Sequence, residues 1–161
     1  MIYQEIEGNL ITLAKEGKFD VIAHGCNCYC NMGAGIAPQM ANAFGCDKFT
    51  MEHPEHQGDI NKLGTIDYEH FPLLRGNGLM VVNAYTQYGT GFNRLTVSTS
   101  ALDYEALTLC LRKMNYIFKG LHIGLPYVIG CGLAGGDINI VLPIIRRELK
   151  DMFVTMVKFN E

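Results

Sequence analysis

His24 ends a short apolar run, and the residues after it, Gly25-Cys26-Asn27-Cys28-Tyr29-Cys30-Asn31, lead into Met32-Gly33-Ala34-Gly35-Ile36. Further along, Ile129 opens into Gly130-Cys131-Gly132-Leu133-Ala134-Gly135-Gly136 and then Asp137. Glycine where a strand meets a helix removes the Cβ that would keep backbone N–H groups away from an anion, and the positive end of the helix adds to the attraction. Two such joins in one chain suit a pyrophosphate gripped from both sides, in a crevice at the carboxyl ends of parallel strands. Neither join has the dinucleotide-binding glycine spacing or the lysine of a P-loop, so each taken alone also fits a simple tight turn. An imidazole, with its ordinary pKa of about 6.5, can act as general base or acid near neutral pH. A hydrogen-bonding structural histidine is the other reading of His24. The alternation Cys26-x-Cys28-x-Cys30 beside His24 raises zinc, but structural zinc sites space their cysteines differently and add a second pair elsewhere. We therefore expect no metal and no cofactor, and six reduced cysteines.

The elements that would hold these residues follow from hydrophobic periodicity. Residues 2–6 alternate as a half-buried strand. Residues 20–23 and 79–82 are short apolar runs suited to strands covered on both faces. Residues 121–129 and 152–159 predict two more strands, and 65–71 another. Tyr104, Leu107, Leu111 and Met114 predict a helix over 101–119, with Ser100-x-x-Asp103 as its capping box and Gly120 to stop it. Ile138, Val141, Leu142, Ile145 and Leu149 repeat the spacing behind Asp137, with cations in the last turns and Pro143 early in the helix. Ile36, Met40 and Phe44 mark a shorter helix, while the polar stretch 53–61 suits a mobile connection. Strands alternating with helices give an α/β fold with a mainly parallel sheet.

The chain has 161 residues, 48% hydrophobic and 18% charged, which suits one domain spanning residues 1–161. A net charge of −3 gives no basic surface for coating nucleic acid or an anionic membrane. No apolar run reaches the ~20 residues of a membrane span, and the first residues lack a secretory layout. We expect a cytoplasmic monomer.

The sequence resembles the macro domain family. Gly8-Asn9-Leu10-Ile11 is similar to that family's G-D-I segment, residues 20–27 to its strand ending in Asn, and residues 32–37 to its first phosphate loop. Residues 129–133 resemble the second loop as it appears in one branch. That branch includes the terminal ADP-ribose glycohydrolase type, the yeast ADP-ribose-1″-phosphate phosphatase type and small bacterial and phage proteins. The resemblance covers nearly the whole chain and implies a three-layer α/β/α domain around a mixed, mainly parallel sheet that binds ADP-ribose or ADP-ribose 1″-phosphate.

It also implies roles. Asn9 stands at the adenine-contacting position, where the family has Asp; a turn residue before Leu10 is the alternative. Phe159 would flank the adenine or belong to the core. Met32, Gly33, Ala34, Gly35 and Ile36, with Gly130, Cys131, Gly132 and Leu133, would hold the phosphates through their backbone. Asn27 would orient the distal ribose or serve as a turn residue, and Gln87 would contact that ribose or its 1″ substituent or belong to a surface loop. His24 matches the histidine of the branch and would assist water. Asp137 is divided between proton partner and helix N-cap. Residues 83–91 contain no lysine, which argues against the covalent Schiff-base route of the glycohydrolase type. The first expectation is hydrolysis of ADP-ribose 1″-phosphate to ADP-ribose and phosphate. Removal of ADP-ribose from protein carboxylates or from nucleic acid, the latter only as a modified substrate, is the second. Sequestration of ADP-ribose-type signals without turnover is the third.

Overall fold

A computed structural model describes residues 3–29, 32, 36–47, 58–74, 76, 78–89, 101–127, 129 and 135–159. Its strands are β1 (Tyr3–Gly8), β2 (Val21–Asn27), β3 (Ile66–Phe71), β4 (Leu79–Gln87), β5 (His122–Pro126) and β6 (Phe153–Phe159). Its helices are α1 (Leu10–Lys15), α2 (Ala37–Phe44), α3 (Tyr104–Ile117) and α4 (Ile138–Glu148). The six strands form one sheet in the order β1-β6-β5-β2-β4-β3. Every neighbouring pair is parallel except β3 with β4, which gives the expected mixed, mainly parallel sheet.

Side chains alternate across the strands, so each strand feeds two cores. Val21, Ala23, Val82, Ala84, Ile123, Leu125, Val154 and Met156 pack with Leu107, Leu111 and Met114 of α3 and with Val141 and Ile145 of α4. Ile22, Val81 and Val157 face the other way, onto Leu10 and Ala14 of α1 and Met40 of α2. Three layers result. The Arg112–Glu148 ion pair at 2.9 Å joins α3 to α4 on their shared face. Over β5, the Phe19 ring closes so near to Gly124 that an added Cβ would meet it at 2.8 Å.

The sheet order has one reversal that matters for the site. β2 and β5 are parallel neighbours. The chain leaving β2 passes through α2 on its way to β3 and β4, on one side of the pair, while the chain leaving β5 passes through α4 to β6 on the other. The neighbouring strands β2 and β5 thus send the chain to opposite sides of the sheet, and such a switch point is where open α/β sheets leave a crevice.

Several boundaries differ from expectation for identifiable reasons. β4 runs on to Gln87 because its polar residues Asn83 and Thr86 are buried in it. β5 ends at Pro126, short of residue 129, at a residue with no N–H to donate to a ladder. The capping box does not start α3: Asp103 itself is the N-cap, accepting from the Ala106 N–H at 2.9 Å. Ser100 lies outside the described residues. Pro143 sits inside α4, with its lost hydrogen bond at Asn139, and the helix continues past it. Helix α1 has only six residues, too few for a periodic pattern to declare itself. Within 53–61, the described residues are Gly58, Asp59, Ile60 and Asn61, where Asp59 caps a single 3₁₀ turn, Ile60–Lys62.

Candidate ligand-binding crevice and a buried histidine network

At the carboxyl ends of β5 and β6, the chain encloses a crevice of about 320 Å³ lined by Asn9, Leu10, Ile11, Ile36, Gln39, Pro126, Tyr127, Val157 and Phe159. Gly8 pairs with Phe159 across the parallel β1–β6 ladder, so the turn carrying Asn9 rises beside Phe159. Phe159 is 60% exposed, which removes its alternative reading as ordinary core. Leu10 is buried. Asn9 is extended and caps α1, its Oδ1 accepting from the Thr12 N–H at 3.1 Å. One lone pair of the oxygen thereby serves the helix, and the amide NH₂ is the end with donors to offer a ligand. Across the crevice, the N-cap of α2 is Ile36, whose side chain has no polar atom and makes no cap hydrogen bond. The first N–H groups of α2 therefore have no side-chain acceptor from the N-cap, the condition under which a helix start attracts an anion.

Of the residues named from the resemblance, Asn9, Leu10, Ile36 and Phe159 are thus brought together in one crevice. Ile11, Gln39, Pro126, Tyr127 and Val157 join them without having been singled out. A proline ending an apolar strand just before an aromatic was the available signal for Pro126 and Tyr127. Gln39 had none beyond its place one turn into a helix.

The remaining residues lie elsewhere. Asn27 and Gln87 are partners at the ends of β2 and β4, next to a register shift. Asn27 Oδ1 accepts from the Tyr29 N–H at 3.0 Å, and Gln87 Nε2 donates to the Gly89 carbonyl at 2.7 Å, so both amides shape the turns that leave their strands. Met32 packs on Cys26, Cys28 and Tyr85. Gly33, Ala34, Gly35, Gly130, Cys131, Gly132 and Leu133 lie outside the described residues, as does Cys30.

Asp137 is the N-cap of α4, with Oδ1 accepting from the Asn139 N–H at 2.9 Å. Its own N–H donates to the Tyr104 hydroxyl at 3.0 Å, which docks the start of α4 on the start of α3. The carboxyl is exposed.

His24 is fully buried, and neither it nor Asp137 is among the described residues lining the crevice. Its Nε2 lies 2.7 Å from Asn83 Oδ1, on the residue opposite it in the β2–β4 ladder. Both hydrogens of the Asn83 amide are committed, one to the Cys46 carbonyl and one to Asp67 Oδ1, each at 2.8 Å. Asn83 Oδ1 can therefore only accept, and His24 must carry its proton on Nε2. Burial pushes the His24 pKa down to about 4, against a smaller upward pull from Asn83, so the ring is neutral at pH 7. Its other nitrogen, Nδ1, has the Cys26 sulfur at 3.9 Å. The chain of bonds continues through Asp67, which accepts from the Tyr85 hydroxyl, to the Lys62 ammonium 4.0 Å above the Tyr85 ring. Burial raises the Asp67 pKa, opposed by the hydrogen bonds from Tyr85 and Asn83. Burial also raises the Cys46 thiol to about 12, which keeps it protonated beside His24. The network was not read from the sequence; a lone Asn in the apolar run of β4 was its only sign.

No model of a known protein family matches the chain. An uncharacterized 17.5 kDa protein in the tk-vs intergenic region of Enterobacteria phage T4 is 34% identical over 150 residues, covering 88% of this chain and 86% of that protein. The chain belongs to the family of that phage protein. Its fold is that of the macrodomains: the macrodomain of Thermus aquaticus DarG superposes with a TM-score of 0.66 at 18% identity, covering 99% of each chain. Thermosipho africanus DarTG in complex with ADP-ribose gives a TM-score of 0.65 at 15% identity, over 91% of this chain and 39% of that one. The specific branch named from sequence is narrower than this likeness, which extends to the X-domain of IBV at a TM-score of 0.59. In this macrodomain fold, the crevice and the histidine network occupy opposite flanks of the β2–β5 switch point, one beyond β5 and β6, the other between β2, β4 and β3. Among the described residues, no helix is long and apolar enough to cross a membrane.

Proposed function

We propose that the crevice binds the adenine end of ADP-ribose, that the two glycine-rich segments hold its pyrophosphate, and that the chain hydrolyses ADP-ribose 1″-phosphate to ADP-ribose and phosphate. One observation carries the binding reading: an apolar crevice with an exposed aromatic wall and amide rim, beside an uncapped helix start, at a switch point of parallel strands. The macrodomain fold, which Thermosipho africanus DarTG shares in its complex with ADP-ribose, supports the same ligand. The 1″-phosphate substrate rests on the sequence resemblance and on the missing lysine in residues 83–91, which disfavours a covalent sugar adduct.

In the reaction, water attacks the 1″ phosphorus and a group near the distal ribose takes its proton, while the P–O1″ bond breaks and O1″ takes a proton to become the ribose hydroxyl, releasing inorganic phosphate. The candidate for that group from the sequence resemblance is His24, whose neutral ring bears hydrogen on Nε2 and has Nδ1 left to accept; it is fully buried and outside the described lining of the crevice. Asp137 would contribute its exposed carboxyl. Phosphate release from ADP-ribose 1″-phosphate by wild type, His24→Ala and Asp137→Asn, with ADP-ribosylated peptide and DNA as parallel substrates, tests this reading. We expect phosphate release by the wild type and loss of most of it in His24→Ala with ADP-ribose binding kept. Full activity in His24→Ala removes that residue from the chemistry. Turnover of peptide or DNA alone moves the activity to those linkages, and binding of all substrates without turnover makes the chain a sequestering protein.

A further inference from the structure

The polar side chains of the crevice are Asn9, Gln39 and the Tyr127 hydroxyl; among its described lining residues there is no carboxylate and no cation. This composition has a consequence for which base it reads. Adenine presents an amino donor at C6 beside an acceptor at N1, whereas hypoxanthine presents an oxo acceptor at C6 beside an N1–H donor. A carboxylate at the rim would only accept, and would therefore demand the amino group and repel the oxo group. Asn9 is different on two counts. It is uncharged, and with one lone pair of its oxygen taken by the Thr12 N–H, its NH₂ brings to the rim two donors that a carboxylate lacks. That NH₂ can donate to adenine N1 or to the hypoxanthine oxo group alike. Gln39 stands exposed on α2, where a half-turn of its amide exchanges donor for acceptor, and the Tyr127 hydroxyl both donates and accepts. The apolar walls, Phe159 and Ile36, stack on either base without distinguishing them.

We infer that this crevice accepts 6-amino and 6-oxo purines with similar affinity, and that Asn9, by offering an amide donor in place of an acceptor, sets that tolerance. The inference deepens the ADP-ribose reading and rests on it. Titration of the full chain with ADP-ribose and with its hypoxanthine counterpart, IDP-ribose, tests it, together with Asn9→Asp, which keeps an N-cap of equal quality for α1. The wild-type Kd values should agree within about 3-fold, while Asn9→Asp should favour ADP-ribose by about 10-fold or more, as a charged acceptor added on one edge implies. A wild-type preference for ADP-ribose of about 10-fold overturns the inference and leaves the ADP-ribose reading standing. Equal affinities that Asn9→Asp does not change overturn the role of Asn9. Failure of both ligands to bind removes the ADP-ribose reading and this inference with it.

Discussion

Asn83 dictates the protonation of a residue on the next strand. Its amide hydrogens go to the Cys46 carbonyl and to Asp67, so its oxygen faces His24 and holds the imidazole in its Nε2–H form. The low pKa of His24, about 4, comes from burial and has a defined effect on stability. Between pH 4 and the unfolded value of about 6.5, the unfolded chain binds the proton and the folded one does not. The His24 contribution is therefore complete above that window, is lost as pH falls through it, and amounts to about 3 kcal/mol in all. Asp67, whose pKa is raised, acts in the opposite sense at low pH, so the wild type alone mixes the two. Urea unfolding of wild type and His24→Gln at pH 7.5 and pH 4.5 separates them. The wild-type stability advantage should shrink by a few kcal/mol on acidification. A constant difference would show that His24 titrates normally in the folded state.

At the scale of elements, each helix start reveals what its sequence could and could not announce. Asp137 before an amphipathic run was legible as an N-cap, and it is one. Asp103 was legible only as the second half of a capping box, because a local pattern does not tell which of two capping residues sits at the boundary. The extension of β4 through Asn83 and Thr86 was hidden for another reason. Polar residues end an apolar run in sequence, yet the partners that make Asn83 tolerable in a buried strand come from residues 16 and 37 positions away. The double service of Asp137, as cap and as candidate proton partner, can be divided by substitution. Asp137→Ala should lower stability by about 1 kcal/mol and Asp137→Asn by less than about 0.5, since Asn caps as well as Asp. Thermal or urea unfolding of the two variants measures this. An equal loss in both would mean that the charge, and not the cap, holds the start of α4.

The α/β class and the mainly parallel sheet were readable from the alternation of strands and helices across the whole molecule, and the macrodomain likeness agrees with them. The position of His24 was not. Its place at a strand end left a proton-transfer and a structural hydrogen-bonding reading open, and the structure buries it between Asn83 of β4 and the Cys46 sulfur. Phe159 went the other way: a residue at the end of the last strand could have been core, and the parallel ladder with β1 instead brings it to the crevice mouth. The central claim is that this crevice takes the adenine end of ADP-ribose against Phe159. Calorimetric titration of ADP-ribose into wild type and Phe159→Ala tests it most directly. We expect one-to-one binding by the wild type, weakened about 10-fold or more when the aromatic wall is removed. Absence of saturable binding, or equal affinity in the two proteins, would contradict it.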